Sequence, residues 1–360
     1  MSGGVDSSVA ALLLKDQGYR CIGITMKLWD YSTVGGNINH ESGCCSLDSI
    51  NDARMVCASL GIPHYVLNFS REFEDGVVND FISEYLAGRT PNPCVQCNRK
   101  IKWNTLLQKA RELGADYIAT GHYARISFND ETGRFVLHRG VDRSKDQSYA
   151  LWGLTQGNLA QTLFPLGELT KLQVRKIAGD NHLRTAAKSE SMEICFVPDN
   201  NYKRFLEQAV PGLQDKVSDG DLVSSEGRKM GKHKGYPFFT IGQRRGIGTG
   251  FGKPMYVIET NPDLNQVVIG EENELLAREF TVISVNFISI PDAQGGVQGS
   301  VKIRYNDPGK EATIHPEDEQ TVRIIFDQPQ KAITPGQSAV FYNQDKVLGG
   351  GIIESVIREN

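Results

Sequence analysis

Ser2–Leu14 reads SGGVDSSVAALLL, and the fold turns on whether this is a tail or a working loop. Gly3 and Gly4 admit backbone angles closed to other residues and let the chain approach a ligand closely. Asp6, Ser7 and Ser8 are helix-start residues. Val9, Ala10, Leu13 and Leu14 follow at helical spacing, and Gly18 can close the helix after about three turns. A glycine loop running straight into a helix start presents N–H groups and the positive end of the helix dipole, which suit an oxyanion. An ordinary capped helix has much the same residues. Asp6 favours the ligand reading, because a carboxylate beside an anion cradle has a use when Mg²⁺ bridges it to phosphate. No G-K-[ST] follows, so this is not the Walker pattern.

Outward from the loop, the first half of the chain alternates. CIGITM (Cys21–Met26) predicts a buried strand, and Ile50, Ala53, Cys57 and Leu60 a helix face ended by Gly61. HYVLNF (His64–Phe69) predicts a strand, and Phe73, Val77, Phe81 and Tyr85 a helix ended by Gly88. TPNPCVQCN (Thr90–Asn98) is expected to be irregular, given its prolines. Ile101–Leu113 predicts a helix, DYIATGHYA (Asp116–Ala124) a strand, and Ala124–Gly140 a hairpin turning near Asn129–Gly133. Strand–helix alternation implies an α/β domain with a parallel sheet, whose ligands lie off the C-terminal strand ends. The loop, Met26 and Gly121 would converge there.

From about Pro198 the pattern becomes glycine turns and short alternating runs, among them YVIE, QVVIG, TVRIIF and SAVFY. These predict two small, mainly-β modules, barrel-like in form. The expected domains are 1–197, 198–270 and 271–360, the last a β-barrel. A length of 360 residues suits two or three domains. Val9–Leu14 is the longest apolar run, far short of a membrane span, and no basic-then-apolar leader is present. Seven cysteines, odd in number and scattered, do not form a secreted disulfide framework, so a cytoplasmic location is expected. The net charge of −4 argues against a wholly basic nucleic-acid binder. One basic patch stands out: Arg228, Lys229, Lys232, Lys234, Arg244 and Arg245, within a stretch that holds no acid. Its cations suit phosphate, while Tyr236, Phe238 and Phe239 read as core.

Cys94-Val95-Gln96-Cys97 places two sulfurs within reach of each other, as a dithiol, half a metal site or a redox pair. A structural zinc would need further ligands, and Cys44-Cys45 is the pair available. Cys97 precedes NRKIKW, whose helix start and cations Arg99, Lys100 and Lys102 would lower a thiol pKa and favour a nucleophile. Cys195 lies in KSESMEICF, flanked by Lys188, Glu190 and Ser191. Taken alone it reads as a core residue, as do Cys21 and Cys57.

Ser2-Gly3-Gly4-Val5-Asp6-Ser7 resembles the pyrophosphate loop of the N-type ATP pyrophosphatases, an adenine nucleotide alpha hydrolase-like, Rossmann-like family. In that family a strand precedes the loop, so the likeness carries the expectation that about six residues of strand belong before Met1. With TPNPCVQCN, ATGHYAR, KDQSYAL, FPLGELTK, ESMEICF, FFTIGQRRGIG, VKIRY and TPGQSAVFY in order along nearly the whole chain, the sequence resembles the tRNA-specific 2-thiouridylases. The resemblance implies ATP-dependent 2-thiolation of the wobble uridine, position 34, of lysine, glutamate and glutamine tRNAs. The uracil C2 oxygen would be adenylated with ATP and Mg²⁺, then replaced by sulfur. It implies that Ser2, Gly3, Gly4, Val5, Asp6, Ser7, Met26 and Gly121 hold ATP, with Asp6 catalytic. Cys97 matches the nucleophile and Cys195 the persulfide carrier, the two passing through a transient disulfide. Asn92, Pro93, Cys94, His122, Lys145, Asp146, Gln147, Arg304, Tyr305 and Gln337 match tRNA-contact positions. A cysteine desulfurase or relay protein would donate the persulfide sulfur, and no membrane partner is implied.

One position departs from many relatives, which carry aspartate where Cys94 stands. Cys94, Cys97 and Cys195 could together hold a [4Fe–4S] cluster with one iron open to sulfide, a second route for sulfur. The rival functions are another adenylating enzyme of the superfamily (a lysidine or 4-thiouridine synthase, or a ligase such as argininosuccinate synthase) and an inactive RNA-binding relative.

Overall fold

The alternation of strand and helix across the first half predicts parallel ladders, and parallel pairing is what forms. The structure is a computed structural model that describes residues 1–29, 47–189, 194–248 and 252–358. Cys44, Cys45, Glu190 and Ser191, weighed above, lie outside the described residues. The chain divides into two units, one of residues 1–78, 94–201 and 345–347, the other of 79–93, 202–344 and 348–360.

In the first unit the glycine loop leads into the helix Val5–Asp16. Val5, Val9, Ala10 and Leu12 bury one side of that helix with Val56, Leu60, Tyr123, Leu166 and Val174. Gly18 ends it at φ +87°, where the left-handed conformation lets Gly18 and Tyr19 N–H groups reach back to Lys15 and Leu14 carbonyls. Strands β1 (Gly23–Lys27) and β2 (His64–Asn68) pair in parallel, with the helix Leu47–Leu60 between them in sequence. Strand β3 is short, Ile118–Ala119, and the antiparallel hairpin β4 (Ala124–Asn129) and β5 (Arg134–Arg139) follows. Strand β6 (Thr162–Leu163) pairs in parallel with β3. The expected strand over Asp116–Ala124 is therefore cut to two residues. Gly121 leaves the ladder to lie against the backbone of Asp6 and Ser7. Met1 runs alongside β1, its amino group donating to the Ile24 carbonyl and its own carbonyl accepting from Thr25 Oγ1 at 2.8 Å.

TPNPCVQCN is not irregular throughout, as its prolines suggested. A helical turn spans Pro93–Gln96 and continues as i→i+5 turns over Cys97–Leu106. The reason is local: proline lacks an N–H but its φ suits the first turn of a helix, so Pro93 starts this helix instead of preventing it.

In the second unit the expected all-β grammar from Pro198 is preceded by two helices, Tyr202–Ala209 and Leu213–Val217. Phe205 packs edge-on against Phe81 (5.8 Å) and Tyr202 stacks on Tyr85 (4.8 Å), which explains why this polar-looking segment is helical. A four-stranded sheet follows: β7 (Gly220–Ser224), β8 (Lys229–His233), β9 (Tyr256–Asn261) and β10 (Gln266–Gly270), in the order β8-β7-β10-β9. The remaining strands are β11 (Leu276–Phe287), β12 (Val297–Lys302), β13 (Lys310–Pro316), β14 (Val322–Lys331), β15 (Ser338–Asn343) and β16 (Lys346–Ile357). They close into a six-stranded barrel because β11 pairs with both β14 and β16. Alternate residues such as Phe280, Val282, Ile314, Ile324, Phe326 and Phe341 fill its interior.

Candidate active site

The first unit holds the glycine loop, the buried end of a lysine and the three expected thiols, Cys94, Cys97 and Cys195. Gly3 has φ +69°, and a Cβ there would meet the Ser49 carbonyl oxygen at 2.1 Å, so the loop conformation requires glycine. Gly4 precedes the helix and offers its first-turn N–H groups no side-chain cap. The serines turn inward instead. Ser7 and Ser8 hydroxyls donate to the Gly4 carbonyl at 3.1 and 2.9 Å, and the Ser2 N–H donates to Ser7 Oγ at 3.2 Å. Gly121 closes the cradle from the end of β3: a Cβ on it would lie 2.8 Å from the Asp6 carbonyl carbon. Met26 sits next to the C-terminal end of β1.

Asp6 is held from two sides. Lys171 Nζ lies 2.7 and 2.8 Å from its two carboxylate oxygens, and Tyr123 Oη donates to Oδ1 at 2.8 Å. Lys171 is the first residue of the helix Lys171–Asp180, and its own N–H donates to Asp142 Oδ2 at 2.9 Å. Thr170 and Gln173 form a capping box that fixes this helix start. Sequence reading placed Lys171 inside FPLGELTK without giving it a role. The capping residues made the helix start legible, but nothing local could show a partner 165 residues away.

Cys94 is exposed, and Cys97 and Cys195 are half-buried. No described cysteine is in a disulfide. The helix begins at Pro93, so Cys97 lies a full turn inside it. The helix start expected beside Cys97 therefore lies at Pro93, one residue before Cys94. Beside Cys97, Asn98 is buried; its amide donates to the Ala150 carbonyl at 2.8 Å and accepts from Lys102 Nζ at 2.9 Å. Lys102 Nζ also lies 3.5 Å from His122 Nε2, while His122 Nδ1 is 2.7 Å from Thr120 Oγ1. An ammonium only donates, so Nε2 accepts and Nδ1 carries the ring proton. The His122 pKa lies well below the ordinary value, first because burial disfavours the charged ring and then because Lys102 repels it. Arg99 crosses the Trp152 ring at 4.9 Å, and a Cβ at Gly153 would strike that side chain at 2.3 Å. Next to Cys195, Phe196 is buried and packs on Phe73 at 5.6 Å.

Among the described residues no group of three or more His, Cys, Asp or Glu side chains is gathered to hold a metal ion. Cys94, Cys97 and Cys195 as arranged therefore do not fit a [4Fe–4S] cluster.

Several residues matched to tRNA contacts have backbone partners. Asp146 accepts from the Gly140 and Ser148 N–H groups at 3.1 Å each, Lys145 N–H donates to the Asp142 carbonyl at 3.0 Å, and Gln147 Oε1 accepts from the Tyr123 N–H at 3.0 Å. In the second unit Gln337 donates to the Thr90 and Pro91 carbonyls at 2.9 and 3.0 Å, just before Asn92 and Pro93. Arg304 donates to the Lys331 and Ala332 carbonyls, while the Tyr305 ring is exposed. In the basic patch, Lys229 and Lys232 each pair with Asp221 at 2.8 Å, an acid outside the stretch read from sequence. Arg244 and Arg245 are exposed, and Tyr236, Phe238 and Phe239 are buried.

Three family models match in order: a tRNA methyl transferase HUP domain over residues 1–199, a tRNA methyl transferase PRC-barrel domain over 203–271 and an aminomethyltransferase beta-barrel domain over 277–353. The tRNA-specific 2-thiouridylase MnmA of Salinibacter ruber is 50% identical over 357 residues, covering 99% of this chain and 93% of that protein. The protein of the same name from Amoebophilus asiaticus is 51% identical over 361 residues, covering 100% and 95%. Among solved structures, the U34-tRNA thiolase NcsA from Methanococcus maripaludis with its [4Fe-4S] cluster matches at 21% identity and a TM-score of 0.33, covering 59% of this chain and 65% of that one. No described helix is long and apolar enough to cross a membrane.

Proposed function

Because the chain belongs to the tRNA-specific 2-thiouridylase family, we propose that it is an ATP-dependent sulfurtransferase that replaces the C2 oxygen of the wobble uridine of tRNA with sulfur. The observation that carries this reading is the glycine cradle. Gly3 packs on Ser49 and Gly121 on the Asp6 backbone, Gly4 stands at the helix start between Gly3 and Asp6 in sequence, and Cys97 belongs to the same unit. Such a cradle suits the phosphates of MgATP, with the metal arriving as part of the substrate. The division into 1–197, 198–270 and 271–360 belongs to the same proposal, as does a cytoplasmic site of action.

The chemistry begins with a poor leaving group on an amide-like carbon. The uracil O2 bonds to the α-phosphorus of ATP, the bond to the bridging oxygen breaks, and its electron pair leaves on pyrophosphate. The N3 proton passes to solvent. The C2 oxygen is now part of AMP and can be displaced. Cys195 carries a persulfide from a cysteine desulfurase or relay protein. The Cys97 thiolate attacks the Cys195 sulfur, forms a disulfide and expels hydrosulfide. Hydrosulfide adds at C2 and AMP departs with the C–O electron pair. A thiol reductant supplies the two electrons that reopen the disulfide.

What this chain contributes is positioning and charge. The N–H groups of the first helical turn, which Gly4 does not cap, would face the phosphates, and Asn98 and Lys102 fix the helix that carries Cys97. Asn92, Pro93 and Cys94 flank the flipped base, which must leave the anticodon stack to be reached. His122, Lys145–Gln147, Arg304, Tyr305 and Gln337 are proposed on the tRNA side, and Lys, Glu and Gln isoacceptors as its substrates. The test is pyrophosphate release on mixing the protein with ATP and unthiolated tRNA. Release that needs both supports the reading; release with ATP alone, or none, overturns it.

A further inference from the structure

Asp6 stands where a carboxylate would meet the metal of MgATP, yet both of its oxygens are bound to Lys171 Nζ, at 2.7 and 2.8 Å. Tyr123 Oη adds a third bond at 2.8 Å. A Mg²⁺ ion needs a carboxylate oxygen at about 2.0–2.1 Å, and its two positive charges placed beside the Lys171 ammonium would loosen that ammonium's hold on Asp6. The two cations compete for one acid.

Fold stability does not account for this lysine. It is the first residue of the helix Lys171–Asp180, where the helix dipole repels a cation. Its side chain is only 10% exposed, although a lysine normally keeps its head in water. The backbone around it is nonetheless fixed with care. Asp142 accepts the Lys171 N–H, and the Thr170–Gln173 capping box sets where the helix begins. The Tyr123 ring lies 5.7 Å from Nζ, a second favourable surface for the charge. Gly121 has no side chain to fill the space beside Asp6.

We propose that Lys171 is a further catalytic residue, a cation that holds Asp6 until MgATP arrives and then moves to the nucleotide phosphates. The inference rests on the adenylation reading above. As Mg²⁺ takes an Asp6 oxygen, Nζ is released beside a phosphate chain carrying new acceptors. It donates there while the α-phosphorus gains its bond to uracil O2 and the departing pyrophosphate gains the electron pair of the broken P–O bond. A donor already placed where this charge develops lowers the barrier. The lysine thus has two successive partners, and its exchange makes metal entry and phosphate binding one event.

The test uses the full chain with Lys171→Met and Lys171→Arg. ATP binding is measured by calorimetry with Mg²⁺ and with EDTA, and tRNA-dependent pyrophosphate release is measured across a Mg²⁺ series. In Lys171→Met the competing cation is gone. Half-saturation by Mg²⁺ should fall several-fold, while kcat for release drops about 100-fold and ATP binding in EDTA weakens about tenfold. Lys171→Arg should move Mg²⁺ half-saturation upward, because a guanidinium grips a carboxylate with two bonds. Unchanged Mg²⁺ dependence in both variants overturns the exchange, as does a rise in half-saturation in Lys171→Met. Should Lys171→Met not fold, Lys171→Arg decides alone: upward movement supports the exchange and an unchanged value overturns it. Should the wild-type chain release no pyrophosphate, the functional reading fails. The EDTA and Mg²⁺ titrations of wild type and variants then still decide whether Lys171 and the metal compete.

Discussion

The two units use the same kind of ion pair for different ends. In the first, Lys171 holds Asp6 at a glycine cradle where each close approach requires a missing side chain. In the second, Arg89 sits between Glu84 (2.8 Å) and Glu354 (2.5 Å), and its neighbours Thr90 and Pro91 are held by Gln337. One pair lies where, on the proposed function, MgATP would displace a partner. The other joins the start of a segment to residues 265 positions later and leaves nothing to exchange. An ion pair is therefore informative about function only through what surrounds it.

That contrast can be broken in several ways. The largest effect is expected in the first unit. Cys97→Ser should abolish tRNA thiolation, a loss of about 10³-fold or more, while leaving pyrophosphate release in place. Mass spectrometry of the tRNA nucleosides, read beside a pyrophosphate assay, separates the two steps; thiolation that survives removes Cys97 from the nucleophile's role. In the second unit the effect should be on folding. Arg89→Ala leaves two carboxylates without their shared cation and should cost about 2–3 kcal/mol, seen in denaturant melts of the whole chain. A cost under about 0.5 kcal/mol would make the pair a surface ornament and erase the distinction.

Gly121→Ala should come next. Its Cβ would press on the Asp6 backbone, and ATP affinity measured by calorimetry should fall about tenfold with little change in melting. His122 gives a smaller effect with a defined sign. Its folded pKa lies below the unfolded value of 6.5, so the unfolded chain takes up a proton first as pH falls. Stability is full above 6.5 and is lost below it, by at most about 1.4 kcal/mol per pH unit. His122→Gln should flatten that slope in melts taken from pH 7 to 5. The smallest effect belongs to the second unit again. Arg244→Ala should lower the log–log salt slope of tRNA binding by about 0.7–0.9, because this exposed cation then releases no counterion. A loss of affinity with an unchanged slope would mean that Arg244 does not meet phosphate.

The sequence carried the local chemistry further than the long-range placement. Ser2–Ser8 was legible as a glycine loop running into a helix because two glycines and three helix-start residues lie close together. The barrel strands were legible because Phe280, Val282, Ile324 and Phe326 alternate, and alternation is a property of neighbours. Lys171 was illegible because its meaning comes from Asp6, far back in the chain. The surroundings of the basic patch were illegible for the same reason: Asp221, outside the window, pairs with Lys229 and Lys232. The helix through Cys94 and Cys97 was missed because two prolines were weighed by number, when position decides whether a proline stops a helix or starts one.

Closure of the barrel has a consequence for how the protein is made. Strand β11 needs β16, which ends at Ile357, and Arg89 needs Glu354. Each partner leaves the ribosome well after the residue it completes, Glu354 by 265 positions. The nascent chain therefore carries Arg89 without Glu354, and β11 without β16, until those later residues emerge, so the second unit closes late in the order of synthesis. In that interval its unpaired strand edge is open to association with other chains.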